Sequence, residues 1–351
     1  MENRTGNEMG ERQEATELRD SAPITLVGAV NQALAHALAN DPQVVVFGQD
    51  IGANGGVFRA TDGLQKQFGT QRVLDTPLAE TMIAGIAVGM ATQGLRPVAE
   101  FQFMGFIYPG LDHILSHATR MRNRTRGRLS CPIVYRAPYG GGIHAPEHHS
   151  ESTEALFTHI PGLRVVVPSS PARAYGLLLA AIRDPDPVLF LEPKRIYRAA
   201  RQPVPDNGEA LPLDSAFVLR EGSDLTLIAW GASVKETLAA AAQLSAEGIE
   251  AEVIDPATLK PLDIHTIIDS LEKTRRCVVV HEAARFGGMG AEIAAQIQEY
   301  AFDLLDAPVQ RVTGYDTVMP YYQLENVYLP GVERILDGAR AALDYRRGGA
   351  A

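Results

Sequence analysis

Three parts of this sequence have the residue types and spacing to do chemistry. The first is Glu80, at the end of the run Asp75-Thr76-Pro77-Leu78-Ala79-Glu80. A proline turn leads into it from an apolar stretch, and the thirteen residues that follow (TMIAGIAVGMATQ) are almost all small or apolar. A carboxylate there complements a helix N-terminus. Among apolar neighbours it is also expected to be partly desolvated, which raises its pKa and suits it to sharing a proton with a nitrogen base. The second part is the loop Gly140-Gly141-Gly142-Ile143-His144-Ala145-Pro146-Glu147-His148-His149, followed by Ser150 and Glu151. Three glycines and three histidines after a strand suit a functional loop better than a structural turn. His144 and His148 are four apart, but Pro146 between them forbids the helix of an HExxH metal site. A histidine acting as general acid or base is the better reading, since its ordinary pKa lies near ~6.5.

The third part is Glu100-Phe101-Gln102-Phe103 with Phe106. Strand alternation puts Phe101 and Phe103 on one face and Glu100 and Gln102 on the other. Core aromatics are the plain reading; an aromatic platform beside amide and carboxylate groups is the functional one, at the strand end where open α/β sheets bind ligands. Two further motifs carry less. Gly287-Gly288-Met289-Gly290 fails the dinucleotide fingerprint because Ile293 stands at its last position, so a strand-to-helix turn is expected. Arg120, Arg122, Arg124, Arg126 and Arg128 read as a solvated or interface face.

The elements that must position these groups alternate. Helical spacing covers 26–38, 80–93 and 172–182, and apolar strand runs cover 44–47, 73–75, 97–103, 133–136, 164–167 and 188–191. Gly85 and Gly89 share a face of the second helix, which predicts close packing against another helix. A stretch rich in proline, asparagine and glycine follows, over 199–215, and reads as a linker. A second block then alternates strands (225–229, 251–254, 277–280, 309–312) with helices (234–247, 263–271, 291–302, 332–345). Continuous apolar strands alternating with helices predict an α/β fold of two doubly wound domains with parallel sheets. The expected division is a polar, disordered tail over 1–22, a first domain over 23–198, the linker over 199–215 and a second domain over 216–346.

Composition narrows the class. The chain has 351 residues, 46% hydrophobic and 21% charged, with a net charge of −10. The acidic balance argues against nucleic-acid and anionic-membrane partners. No apolar run reaches the ~18 residues of a membrane span. The two cysteines, Cys131 and Cys277, form no disulfide framework and no CxxC pair. With no targeting segment recognised, a cytoplasmic location is expected.

Taken in order, FGQDIGANGGVFRAT, RVLDTPLAE, EFQFMGF, GGGIHAPEHHSES, PGLRVVVPSSP, RDPDPVLFLEP, DLTLIAWGA and EVIDPATLKPLD resemble the beta chain of the thiamine-diphosphate-dependent decarboxylase component of 2-oxo acid dehydrogenase complexes. The resemblance runs from about Ile24 to Tyr345. It is closest to bacterial pyruvate dehydrogenase beta chains, with the branched-chain enzyme's beta chain next. It implies a transketolase-like pyrimidine-binding domain and a transketolase C-terminal domain. It also implies thiamine diphosphate shared with an alpha chain that holds the diphosphate and Mg²⁺; the Gly-Asp-Gly of that alpha-chain motif is absent here.

By this resemblance Glu80 hydrogen-bonds the aminopyrimidine ring nitrogen and favours the imino tautomer that deprotonates the thiazolium carbon. His149 falls at the active-site histidine, which orients substrate and passes a proton during acyl transfer to lipoamide; His148 beside it is the rival. Gln49, Leu78, Gln102 and Phe106 fall in the cofactor pocket. Phe106 stands where the branched-chain enzyme has tyrosine, and Gln49 where many relatives carry glutamate. Asp184 falls at a monovalent-cation (K⁺) segment. The implied assembly is two alpha and two beta chains, with the second domain docking the peripheral subunit-binding domain of the dihydrolipoamide acyltransferase core. The rival readings are a nicotinamide-linked dehydrogenase using the Gly288 region, a non-catalytic scaffold subunit and a transketolase-type sugar-phosphate enzyme.

Overall fold

A computed structural model describes residues 22–345. The expected disordered tail therefore lies, but for Ala22, outside the described residues.

The first half is built on a seven-stranded sheet. Its strands from this half are β2 (Val44–Gln49), β3 (Val73–Thr76), β4 (Arg96–Glu100), β5 (Val134–Tyr139), β6 (Arg164–Val166) and β7 (Val188–Pro193). A short ribbon pairs β1 (Pro23–Thr25) antiparallel with β8 (Arg201–Pro203), inside the stretch read as linker. The second half carries β9 (Phe217–Arg220), β10 (Leu225–Ala229), β11 (Ala251–Asp255), β12 (Thr258–Lys260), β13 (Cys277–Ala284) and β14 (Gln310–Gly314). The seven-stranded order is β12-β6-β7-β5-β4-β2-β3, and the five-stranded order is β14-β13-β10-β11-β9. Each sheet is parallel apart from one antiparallel edge strand, β12 in the first and β9 in the second. This is the doubly wound α/β fold expected.

The principal helices are α1 (Leu26–Asn40), α2 (Glu80–Thr92), α3 (Pro171–Arg183), α4 (Ser233–Ala246), α5 (Ile264–Thr274), α6 (Met289–Ala301), α7 (Tyr322–Tyr328) and α8 (Val332–Leu343). Local chemistry starts several of them. The Thr25 hydroxyl accepts from Gly28 N–H at the head of α1, Ser170 caps α3 just before Pro171, and Asp263 caps α5 by accepting from Thr266 N–H. Strands β5 and β7 are buried along their whole length, as central parallel strands covered on both faces must be.

The two halves share one core. Ile228, Trp230, Leu259, Leu271 and Met289 of the second half join Phe101, Tyr135, Tyr139 and Phe157 of the first in a continuous apolar cluster. Strand β12 completes this union by pairing with β6.

One local expectation is met in part and another is corrected. Among the described residues, the glycine face of helix α2 packs on a short helical turn at Gly85 but not at Gly89. Gly85 abuts the ring of His113 on a π-helical turn, and nothing lies within 4 Å of a side chain built at Gly89. The strand expected over 97–103 stops at Glu100. Beyond it the alternation lapses: Phe101 packs towards Tyr135 in the core, and Phe103 turns to meet His149.

Candidate active site

The carboxyl ends of four parallel strands converge on one rim, as open α/β sheets dictate. Gln49 closes β2, and Asp50 follows it in the left-handed region with φ 58°. Gln102, just past β4, donates from Nε2 to Asp50 Oδ2 at 3.2 Å, tying those two strand ends together. Asp75, in β3, accepts from Gly52 N–H at 2.6 Å and Ala53 N–H at 3.3 Å, which ties β3 to the loop after β2.

Glu80 opens α2, with the exposed Leu78 two residues before it. Its side chain is half-buried, and among the described residues no hydrogen-bond or ion-pair partner holds its carboxylate. The helix start is fixed from outside. Thr81 Oγ1 donates to Pro109 O at 2.9 Å, and a side chain built at Gly110 would sit 2.9 Å from Ala84 Cβ and 3.2 Å from Glu80 O. The turn that carries Phe106 therefore runs on directly into the backbone that seats Glu80.

Phe106 lies between both candidate histidines, 5.1 Å from the His149 ring and 5.2 Å from His148. His149 is the more enclosed. Phe103 meets it edge-on at 4.6 Å, and its Nδ1 is buried with no hydrogen-bond partner among the described residues, whereas His148 is exposed. A buried ring nitrogen lacking a bond within the chain is the kind of group a ligand satisfies. Both histidines lie on the helical turn Glu147–His149, and Gly105 is required beneath it: a Cβ there would meet His148 O at 2.2 Å.

Behind the rim lies a buried charge network. Arg136 on β5 donates from Nη1 to Glu100 Oε2 at 2.6 Å and from Nε to Glu192 Oε1 at 2.6 Å, and Tyr197 Oη donates to Glu192 Oε2 at 2.6 Å. One guanidinium cannot neutralise two carboxylates. Burial pushes Glu100 above the ordinary carboxylate range, although Arg136 opposes it. Burial also works against the charge on Arg136, but Glu192 and Glu100 hold it above its usual value. Lys194, one residue beyond β7, donates to Gly140 O and has its pKa drawn down to about 8 by burial, despite Glu282 and Glu325 nearby.

The glycine loop is gripped by the second half. Gly141 N–H donates to Glu282 Oε1 at 2.9 Å, Gly142 N–H to Glu325 Oε1 at 2.6 Å and His144 N–H to Glu325 Oε2 at 3.1 Å. A cleft of about 300 Å³ lies between this loop's far end and the second half, lined by Glu147, Glu151, Ala284, Val318 and Tyr328 among others.

The sequence-derived residues are thus mostly brought together. Gln49, Gln102, Phe106 and His149 share the rim, and Glu80 is joined to it through Pro109 and Gly110. Asp184 is not part of it. Its Oδ2 pairs with Arg164 Nε at 2.9 Å, its Oδ1 accepts from Asp186 N–H at 2.8 Å, and Arg96 donates to the Ile182 carbonyl beside it at 3.0 Å. The arginine run is exposed as expected, with Arg122 paired to Asp186 at 2.8 Å, and Gly288 caps α6 as a plain turn. Sequence reasoning missed Arg136, Glu192, Glu282 and Glu325. The signal available was a charge inside each of four apolar strand or helix runs, but only tertiary contact says what each one faces.

Residues 22–200 match the family model described as transketolase, pyrimidine binding domain, and residues 214–335 match transketolase, C-terminal domain. A solved structure described as a split gene transketolase, inactive beta4 tetramer, superposes with a TM-score of 0.75; it is 24% identical and covers 93% of this chain and 100% of that one. That likeness shows the fold. The chain is therefore built from a transketolase-type pyrimidine-binding domain followed by a transketolase C-terminal domain.

Among curated relatives, the pyruvate dehydrogenase E1 component subunit beta of Bacillus subtilis is 50% identical over 324 residues, covering 92% of this chain and 100% of that protein. The subunit of the same name from Acholeplasma laidlawii is 52% identical over 314 residues, 90% of this chain and 96% of its own length. The chain belongs to the family of pyruvate dehydrogenase E1 component beta subunits.

Proposed function

We propose that this chain is the beta subunit of a thiamine-diphosphate-dependent pyruvate dehydrogenase, which works with an alpha chain in an assembly of two alpha and two beta chains. The observation that carries the reading is the full-length match to relatives of that name at about half identity. The site fits the aminopyrimidine of the cofactor. Phe106 offers an aromatic face, Glu80 a carboxyl group with no partner of its own among the described residues, and His149 a buried Nδ1 awaiting one.

When bound, the cofactor supplies the electron sink for loss of CO₂ from a 2-oxo acid. The chain's own residues orient it and manage protons. Glu80 would hold a proton at its carboxyl oxygen against the pyrimidine ring nitrogen. Phe106 would stack on the ring, with Gln49, Leu78 and Gln102 lining its edge. His149, whose position is set by Phe103 and Phe106, would orient the substrate and pass a proton during acyl transfer to lipoamide. The diphosphate and Mg²⁺ are assigned to the alpha chain, and the second half is assigned the docking of the acyltransferase core's peripheral subunit-binding domain. The segment around Asp184 holds the guanidinium groups of Arg96 and Arg164, which is a poor setting for K⁺, and no step is assigned to a cation there.

The test is reconstitution with an alpha chain. Thiamine-dependent decarboxylation of pyruvate, well above that of 2-oxoisovalerate, supports the reading. A preference for 2-oxoisovalerate would reassign the chain to the branched-chain enzyme, and activity independent of thiamine would refute it.

A further inference from the structure

The loop over 140–149 is closed at its base by Gly140 N–H donating to Glu151 O at 2.8 Å, and its far end is a turn in which His149 N–H donates to Pro146 O at 3.0 Å; Gly141, Gly142 and His144 between them have their amides held from outside. Gly140, Gly142 and the non-glycine His144 all lie at positive φ, at 85°, 89° and 60°. Two buried carboxylates from the other half of the molecule hold the stretch between these points. Glu282, on β13, accepts at the same Oε1 from Gly141 N–H at 2.9 Å and from Ser152 Oγ at 2.6 Å, so it ties the two ends of the segment that contains His149. Glu325, on α7, is 1% exposed and holds the chain between those ends: Oε1 accepts from Gly142 N–H and Oε2 from His144 N–H, with the His144 ring Nε2 also 3.4 Å from Oε2. The packing leaves no slack. Side chains built at Gly140, Gly141 and Gly142 would lie 2.2 Å from Glu282, 2.4 Å from Met319 and 2.1 Å from Arg195.

We propose that Glu325 is a positioning residue for His149: its carboxylate clamps the Gly142 and His144 amides and so sets the helical turn Glu147–His149 against Phe103 and Phe106. The clamp acts only through the loop. Hydrogen bonds to a charged acceptor are the strong ones, and an isosteric amide retains one acceptor oxygen while placing an N–H₂ where the other amide points. Glu325→Gln therefore loosens the loop without opening a cavity. The role in acyl transfer rests on the function proposed above; the clamp itself does not.

The test uses the reconstituted alpha–beta holoenzyme carrying Glu325→Gln, with His149→Ala and the double variant alongside. Amide exchange in peptides spanning 140–149 should rise by roughly tenfold to hundredfold while the rest of the chain is unchanged. Acetyl transfer to lipoamide should fall about tenfold, with KM for pyruvate within about threefold of the parent. The double variant should be no slower than His149→Ala alone, because both changes remove the same function. Unchanged exchange at 140–149 would overturn the proposal, as would effects of the two substitutions that multiply. Amide exchange responds to the clamp whether or not the enzyme turns over pyruvate, so failure of the functional reading and failure of the Glu325 clamp give different results.

Discussion

Glu154 gives the sharpest quantitative handle on the shared core. Its side chain is fully buried where the two halves meet; Oε1 accepts from Trp230 Nε1 at 3.3 Å, and Oε2 is buried without a hydrogen-bond partner among the described residues. Burial, with the negative charge of Glu282 adding to it, raises its pKa from the ordinary 4.5 to about 8. An acid whose folded pKa lies above its unfolded value favours folding fully below the unfolded value. That contribution drains away as pH rises from 4.5 to about 8. At ~1.4 kcal/mol per pH unit the window sets a ceiling of about 5 kcal/mol. Relaxation around an ionised group and water entry reduce this, leaving about 2 kcal/mol. Glu154→Gln keeps the acceptor for Trp230 and never ionises. Whatever constant penalty its amide carries, the variant should gain on the parent by about 2 kcal/mol between pH 5 and pH 8, or about 3 °C in melting temperature for a chain of this length. Thermal unfolding of parent and variant at both pH values reads this directly. A difference between them that does not change with pH would refute the reasoning.

Other perturbations test the remaining features. Arg136→Met strands the Glu100 and Glu192 carboxylates together in the core, and should lower stability by about 3–5 kcal/mol in urea unfolding; a loss under ~1 kcal/mol would mean that the network is not electrostatically stressed. Gly105→Ala drives a methyl group into the backbone carbonyl of His148, so turnover of the reconstituted enzyme should fall more than about tenfold and stability by about 1–3 kcal/mol in urea unfolding; parental turnover would show that the turn need not be held there. His149→Ala should slow acyl transfer by about 10²–10³-fold and His148→Ala by less than about threefold; the reverse order would reassign the active histidine.

Much of the architecture was legible because its cause is local. The apolar runs of β2, β5 and β7, alternating with stretches of helical spacing, announce a parallel α/β fold without tertiary information. The linker reading was less complete: proline and glycine marked an irregular stretch over 199–215, but not that Arg201–Pro203 would pair with Pro23–Thr25. Nor does any pattern in Thr258–Lys260 say that this strand crosses to the first sheet, since a partner strand is chosen by the whole fold. At the candidate site, Glu80 and the histidine-bearing loop stood out by type and context, while the choice of His149 within that loop came from the family resemblance. Alternation misplaced Phe101 and Phe103 because β4 ends at Glu100, and a periodicity holds only while its element does. Glu282 and Glu325 were invisible for a different reason. They lie about 140 and 180 residues from the glycines they hold, and only a folded chain brings such separations together.

The central claim is that Glu80 supplies the proton-holding carboxyl group of a pyrimidine site completed by a second chain. It is tested most directly by comparing parent and Glu80→Gln beta chains, each reconstituted with the same alpha chain and saturated with thiamine diphosphate, in single-turnover decarboxylation of pyruvate. The account predicts assembly as for the parent and a rate lower by about 10²–10⁴-fold. A Glu80→Gln enzyme that decarboxylates pyruvate at the parental rate would contradict it.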